Sequence, residues 1–145
     1  FAHCTELEKA TIGNSVKTIG KSAFEGCYDL KKVSIGKAVK IIDKEAFYNC
    51  SSLKQVVIRS KKVKKIGKNA FAGIFDKAEI YIYEEAYDSI APLFTTEAGY
   101  KETMSLVKKK TLLNQFKDWM FGDDEETEIE ETETDATETT DNRVD

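Results

Sequence analysis

Apolar residues recur along this chain at an interval of 23 or 24 positions. Phenylalanine stands at Phe1, Phe24, Phe47 and Phe71, and isoleucine at Ile12, Ile35, Ile58 and Ile82. Val16, Val39 and Val63 form a third column, Ile19, Ile42 and Ile66 a fourth, and Ala23, Ala46 and Ala70 a fifth. Leu7, Leu30 and Leu53 share a phase with Lys77 in the fourth copy; Cys4, Cys27 and Cys50 share another, with Ile74 in the fourth. A period of this length marks a solenoid, in which each unit buries its apolar face only against its neighbours. The working rule is that a repeated phase means burial and a variable phase means exposure. One extra residue falls between Ile58 and Val63 and lengthens a turn there.

Within a unit, the stretch LKKVSI turns Leu30, Val33 and Ile35 inward from a short strand and its approach bend, leaving Lys31, Lys32 and Ser34 in solvent. In the next unit Leu53, Val56 and Ile58 point in, and Lys54, Gln55 and Val57 point out. Stacking the units makes a parallel sheet along one side. A second short extended piece over 39–42 follows a glycine-containing turn, and KEAFYNC reads as a helical turn or short 3₁₀ segment on the opposite side. Residues 83–94 read as a helix shortened or bent by Pro92, and 103–107 as a further strand. Over 111–121, Leu112, Leu113, Phe116, Trp119 and Met120 fall at helical spacing before Gly122, predicting a helix packed on the solenoid end. The fold expected is an α/β solenoid: a right-handed coil with a parallel sheet on one side, short strands and helical turns on the other, and a C-terminal helical cap.

The pattern Leu-x-x-Val-x-Ile, a turn, Val-x-x-Ile-Gly, Ala-Phe and x-x-Cys resembles the BspA-like leucine-rich repeat family of bacterial surface proteins. The resemblance spans residues 1–94 as about four repeats, followed by a cap over 95–121. Gly13 and Gly36 stand where that family often has proline, as does Arg59 in the third unit. The resemblance implies a secreted or cell-surface module without cofactor. Its partner would be a protein or glycan on host or neighbouring cells.

Charge divides the chain in two. Of 26 acidic residues, 12 lie in 122–145 with only Arg143 opposing them, a net charge of -11; residues 1–121 carry 21 basic and 14 acidic residues, or +7. The segment 122–145 has no aromatic residue and only Ile129, Ala136 and Val144 as apolar groups, so it is expected to be disordered. No run approaches the roughly 18 apolar residues of a membrane-spanning helix. Phe1 falls in phase with Phe24, so the start is read as a cut through an ongoing array, with any secretion signal upstream.

Candidate chemistry is sparse. Gly20-Lys21-Ser22 has the letters that end a phosphate loop, but the required glycine five positions before Gly20 is Ser15, so the triplet is read as a repeat turn. Three cysteines at a spacing of 23 lack the close pairs and fourth ligand of a zinc site and are expected as buried free thiols. His3 is the only histidine, and no nucleophile-base pairing or carboxylate pair stands out, which predicts a chain without catalysis or metal.

The outward strand positions form a grid: Glu8, Lys9 and Thr11; Lys31, Lys32 and Ser34; Lys54, Gln55 and Val57; Ala78, Glu79 and Tyr81. Of these, Lys9, Thr11, Lys31, Lys32, Ser34, Lys54, Gln55, Val57 and Tyr81 are the candidate binding residues. The basic rows favour an anionic partner by electrostatic steering. Nucleic acid is disfavoured because the rows lack interleaved aromatics and the acidic segment would compete. The molecule is expected to act as a monomer. The rival reading is a rigid spacer holding another domain.

Overall fold

The computed structural model describes residues 1–111 and 119–120. The chain coils as stacked rungs carrying two parallel sheets. One has five strands in the order β1 (Lys9–Thr11), β3 (Lys32–Ile35), β5 (Gln55–Ile58), β7 (Glu79–Tyr83) and β8 (Ser105–Lys109); the other has three, β2 (Thr18–Ile19), β4 (Ile41–Ile42) and β6 (Lys65–Ile66). Register follows the sequence period: Val33 pairs with Val56 and Ile35 with Ile58. Val56 then pairs with Ile80, and Ile58 with Ile82. Between the sheets lies one core, in which Leu30, Val33, Ile35, Val39, Ile42, Phe47, Leu53, Val56 and Ile58 are fully buried.

The side opposite the five-stranded sheet carries KEAFYNC and its counterparts, and it is made of consecutive hydrogen-bonded turns. Ala46 N donates to Asp43 O, Tyr48 N to Glu45 O and Cys50 N to Phe47 O. The alternate amides reach the next rung: Glu45 N to Lys68 O, Phe47 N to Ala70 O and Asn49 N to Ala72 O. Glu45 and Asn49 sit at positive φ, as do Ser22, His3 and Asn69 in the same columns, and a helix has no place for such residues. These backbone donors thus find partners without a helix, half locally and half across rungs.

The phenylalanine column is a continuous stack. Ring centroids lie 5.4 Å apart from Phe1 to Phe24, 5.2 Å from Phe24 to Phe47 and 5.3 Å from Phe47 to Phe71, the first two pairs within 2° of parallel. Phe94 continues it at 5.3 Å with a 38° tilt, and the Tyr100 ring meets Phe94 edge-on at 6.3 Å.

Several local expectations change. In the first rung Phe1, Cys4 and Val16 are exposed, because that rung is stacked on one side only. Residues 83–94 form three short pieces rather than one helix: a 3₁₀ turn at Glu84–Ala86, α1 at Tyr87–Ile90 and a second 3₁₀ turn at Ala91–Leu93 that holds Pro92. The further strand lies at Ser105–Lys109 and pairs with β7, so the sheet runs on past residue 94. The helix expected over 111–121 and the segment 122–145 fall outside the described residues except for Thr111, Trp119 and Met120. Trp119 and Met120 are exposed.

Ala78, assigned above to the outward grid, is fully buried. Its amide donates to Phe75 O, as Leu53 N does to Cys50 O and Leu30 N to Cys27 O. Ala78 therefore takes the leucine place in the fourth rung, and Lys77 is left in solvent. The next rung closes over it, with Ser105 N bonded to Ala78 O and the Thr103 hydroxyl bonded to Asp76 O.

Candidate functional site

The outer surface of the five-stranded sheet has two outward columns. Parallel pairing aligns Lys9, Lys32, Gln55, Glu79 and Ser105 in one, and Thr11, Ser34, Val57, Tyr81 and Val107 in the other. Lys31 and Lys54 stand just before their strands and are neighbours, since Lys54 N donates to Lys31 O. Lys9, Thr11, Lys31, Lys32 and Lys54 are exposed, while Ser34, Gln55, Val57 and Tyr81 are half-buried. The fold therefore brings all nine candidate residues onto one surface. A shallow depression of about 550 Å³ opens over it, lined by Lys9, Lys31, Lys32, Lys54 and Gln55 together with Phe75, Lys77 and Glu79.

Charge on this surface is graded. Lys31 Nζ lies 3.2 Å from Glu8 Oε1, an exposed pair of small energetic weight. Lys54 Nζ sits 5.4 Å from the Phe75 ring centroid, within cation–π range. Among the described residues no ion pair involves Lys9, Lys32 or Lys77. At the other end of the surface Tyr81 donates its hydroxyl proton to Glu79 Oε1 at 2.7 Å, and that carboxylate pushes the Tyr81 pKa up. Lys109 Nζ lies 6.0 Å from the Tyr81 ring. The depression is thus lined by five lysines with one aromatic edge, Phe75, and Glu79 leads from it to Tyr81.

Phe75 and Lys77 escape the repeat reading because the fourth rung shifts its phase by one residue at Ala78. A second omission is larger. On the other sheet, Lys40 N donates to Lys17 O and Lys64 N to Lys40 O, which stacks Lys17, Lys40 and Lys64 in one column. Ser22 N donates to Lys44 O and Glu45 N to Lys68 O, which stacks Lys21, Lys44 and Lys68 in another. All six are exposed. Their signal was present as a period of 23 and 24, but equating repetition with burial hid it. Lys21 belongs to the Gly20-Lys21-Ser22 triplet, which is indeed a turn: Ala23 N donates to Gly20 O and Ser22 has φ 57.

The cysteines serve the stack. Cys50 donates its thiol proton to Phe24 O at 3.0 Å and Cys27 to Phe1 O at 3.1 Å, each reaching back one rung. Burial raises both pKa values, that of Cys50 to about 12. All three thiols are free, and Cys4, in the first rung described, is exposed. Because the thiolate is the reactive form, iodoacetamide at pH 8 should add once to the native chain, at Cys4, and three times in guanidinium. Intact mass spectrometry reads the number of adducts, and three rapid additions to the native chain would mean the ladder is open. Among the described residues no group of three histidine, cysteine or acidic side chains is placed to hold a metal ion.

A family model described as the BspA type leucine-rich repeat region matches residues 1–94. The chain belongs to the BspA-type leucine-rich repeat family. No curated protein and no solved structure matches it. Solenoids of this family are typical of non-enzymatic modules for protein–protein interaction or surface display, generally in cell-surface or secreted bacterial proteins. No helix among the described residues is long and apolar enough to cross a membrane.

Proposed function

We propose that this BspA-type repeat is a non-enzymatic adhesion module, displayed at a bacterial surface or secreted, that binds an acidic macromolecule across its five-stranded face. The observation that carries the reading is the basin itself: Lys9 beside Lys32 and Lys31 beside Lys54 on adjacent rungs, around a depression of about 550 Å³. Like charges on neighbouring strands repel, and an anion laid across them relieves that repulsion. Phe75 adds an apolar surface at the basin's edge, suited to a protein or glycan ligand rather than a bare ion.

The test is the triple substitution Lys31→Glu, Lys32→Glu and Lys54→Glu, with circular dichroism to confirm the fold. The probes are a fluorescein-labelled poly-glutamate peptide and, separately, heparin, read by anisotropy at low salt. Each substitution removes one exposed attraction and adds one repulsion, at about 0.5 kcal/mol apiece. The three together amount to about 3 kcal/mol, so affinity should fall roughly 100-fold. A wild-type chain that binds neither probe, or a variant that binds as well as wild type, would favour a rigid spacer instead.

A further inference from the structure

The six lysines of the second sheet form a site of their own. In a parallel ladder, neighbouring rungs are about 4.8 Å apart, so Lys17, Lys40 and Lys64 hold three ammonium groups in a row, and Lys21, Lys44 and Lys68 three more. Among the described residues none of the six takes part in an ion pair. The basin on the first sheet is different, because Glu8 already engages Lys31 and Glu79 lines the depression. The ladder ends at a change of sign: Asn69 N donates to Glu97 O as Glu45 N does to Lys68 O, so Glu97 takes the next place after Lys68.

We propose that the lysine ladder is a docking surface for a carboxylate-rich extended polypeptide, and that its occupant is this chain's own segment 122–145. Complementarity of charge is direct, with six lysines facing a segment of net charge -11. The sequence of that segment also suits the ladder: Glu126, Glu128 and Glu130 alternate with Thr127 and Ile129, and Glu131, Glu133 and Asp135 alternate with Thr132 and Thr134. Laid extended across the rungs, alternate residues would fall to one side about 6.6 Å apart, a spacing that long lysine side chains can meet from rungs about 4.8 Å apart. Reach is ample. From β8 to the first ladder rung is four rung spacings along the coil, about 19 Å, whereas the 24 residues of 122–145 allow up to about 80 Å of chain. Covalent tethering then supplies an effective concentration on the order of millimolar. The inference goes beyond the function proposed above, since it concerns the three-stranded sheet and leaves the basin open to an external partner.

The test uses the full chain with Cys4→Ser and Thr134→Cys, carrying a nitroxide spin label on the new thiol, and reads paramagnetic broadening of backbone amide resonances. At about 10 mM salt, where the Debye length is about 30 Å, the amides of the ladder lysines should broaden; at about 1 M, where it is about 3 Å, the broadening should vanish. Substituting all six ladder lysines with glutamine should remove it, while the triple glutamate variant of the basin should leave it in place. Three results would overturn the proposal: no salt-sensitive broadening, broadening centred on Lys31, Lys32 and Lys54, or broadening that appears only when labelled and unlabelled chains are mixed. Run in the background of the ladder glutamine variant, the poly-glutamate arm of the basin test reports the five-stranded face alone, so either idea can fail while the other stands.

Discussion

Replacing Phe47 with alanine is expected to destabilise the fold by about 3–5 kcal/mol, the range for removing a buried aromatic ring from a close-packed core. Phe47 has no exposed surface. Its ring is held between Phe24 at 5.2 Å and Phe71 at 5.3 Å, so one substitution opens the stack toward both neighbouring rungs at once. The backbone bond from Phe47 N to Ala70 O survives the change, which confines the loss to packing. Urea denaturation followed by circular dichroism measures it. Phe1→Ala is the control: that ring is 78% exposed and covered on one side only, and its removal should cost less than about 1 kcal/mol. Equal losses from the two substitutions would mean that the rings do not stack as a column.

Gly36→Ala should cost about 3 kcal/mol or more, near the upper end for a forced overpacking, although it adds a single methyl group. A Cβ at position 36 would lie 2.4 Å from both Ile12 O and Gly13 O of the preceding rung. Those atoms are backbone, and Ile12 N is tied to Ser34 O, so neither side moves without opening the ladder. Gly13→Ala is the matched comparison, since a Cβ there meets nothing within 4 Å. A drop in melting temperature confined to the position 36 variant is the expected outcome. Glycine at 36 is therefore set by how closely one rung approaches the next.

Much of this was readable in the residues because a solenoid converts interval into contact. Val33, Val56 and Ile80 are separated by 23 and 24 positions and pair directly. The same arithmetic placed Lys9 beside Lys32 and assembled the candidate face. It misjudged two cases. Lys17, Lys40 and Lys64 repeat as faithfully as the valines one position earlier, yet they point outward, because a strand alternates its side chains and both sets inherit the period. Repetition reports stacking; burial needs the apolar character as well. Cys4 and Val16 fail in the opposite way: they share the phase of buried residues, but stacking on one side leaves them exposed.

The end of the array shows what lay beyond the sequence. Phe94 follows Phe71 by 23 positions and its ring does extend the stack, but not from the expected backbone place. Phe71 N donates to Ala98 O where Phe47 N donates to Ala70 O, so Gly99 holds the position of Phe71, at φ 99. A Cβ on Gly99 would lie 2.3 Å from Ala72 N. The chain takes a detour through α1, delivers a ring from a distance and closes the rung over a residue with no side chain. The residues alone determined the period, the core columns, the basic face and the acidic segment, since these depend on intervals and on the character of single side chains. Only the tertiary structure decided the fifth rung, the inward turn of Ala78 and the outward ladder of lysines, because each depends on how one rung's backbone meets the next.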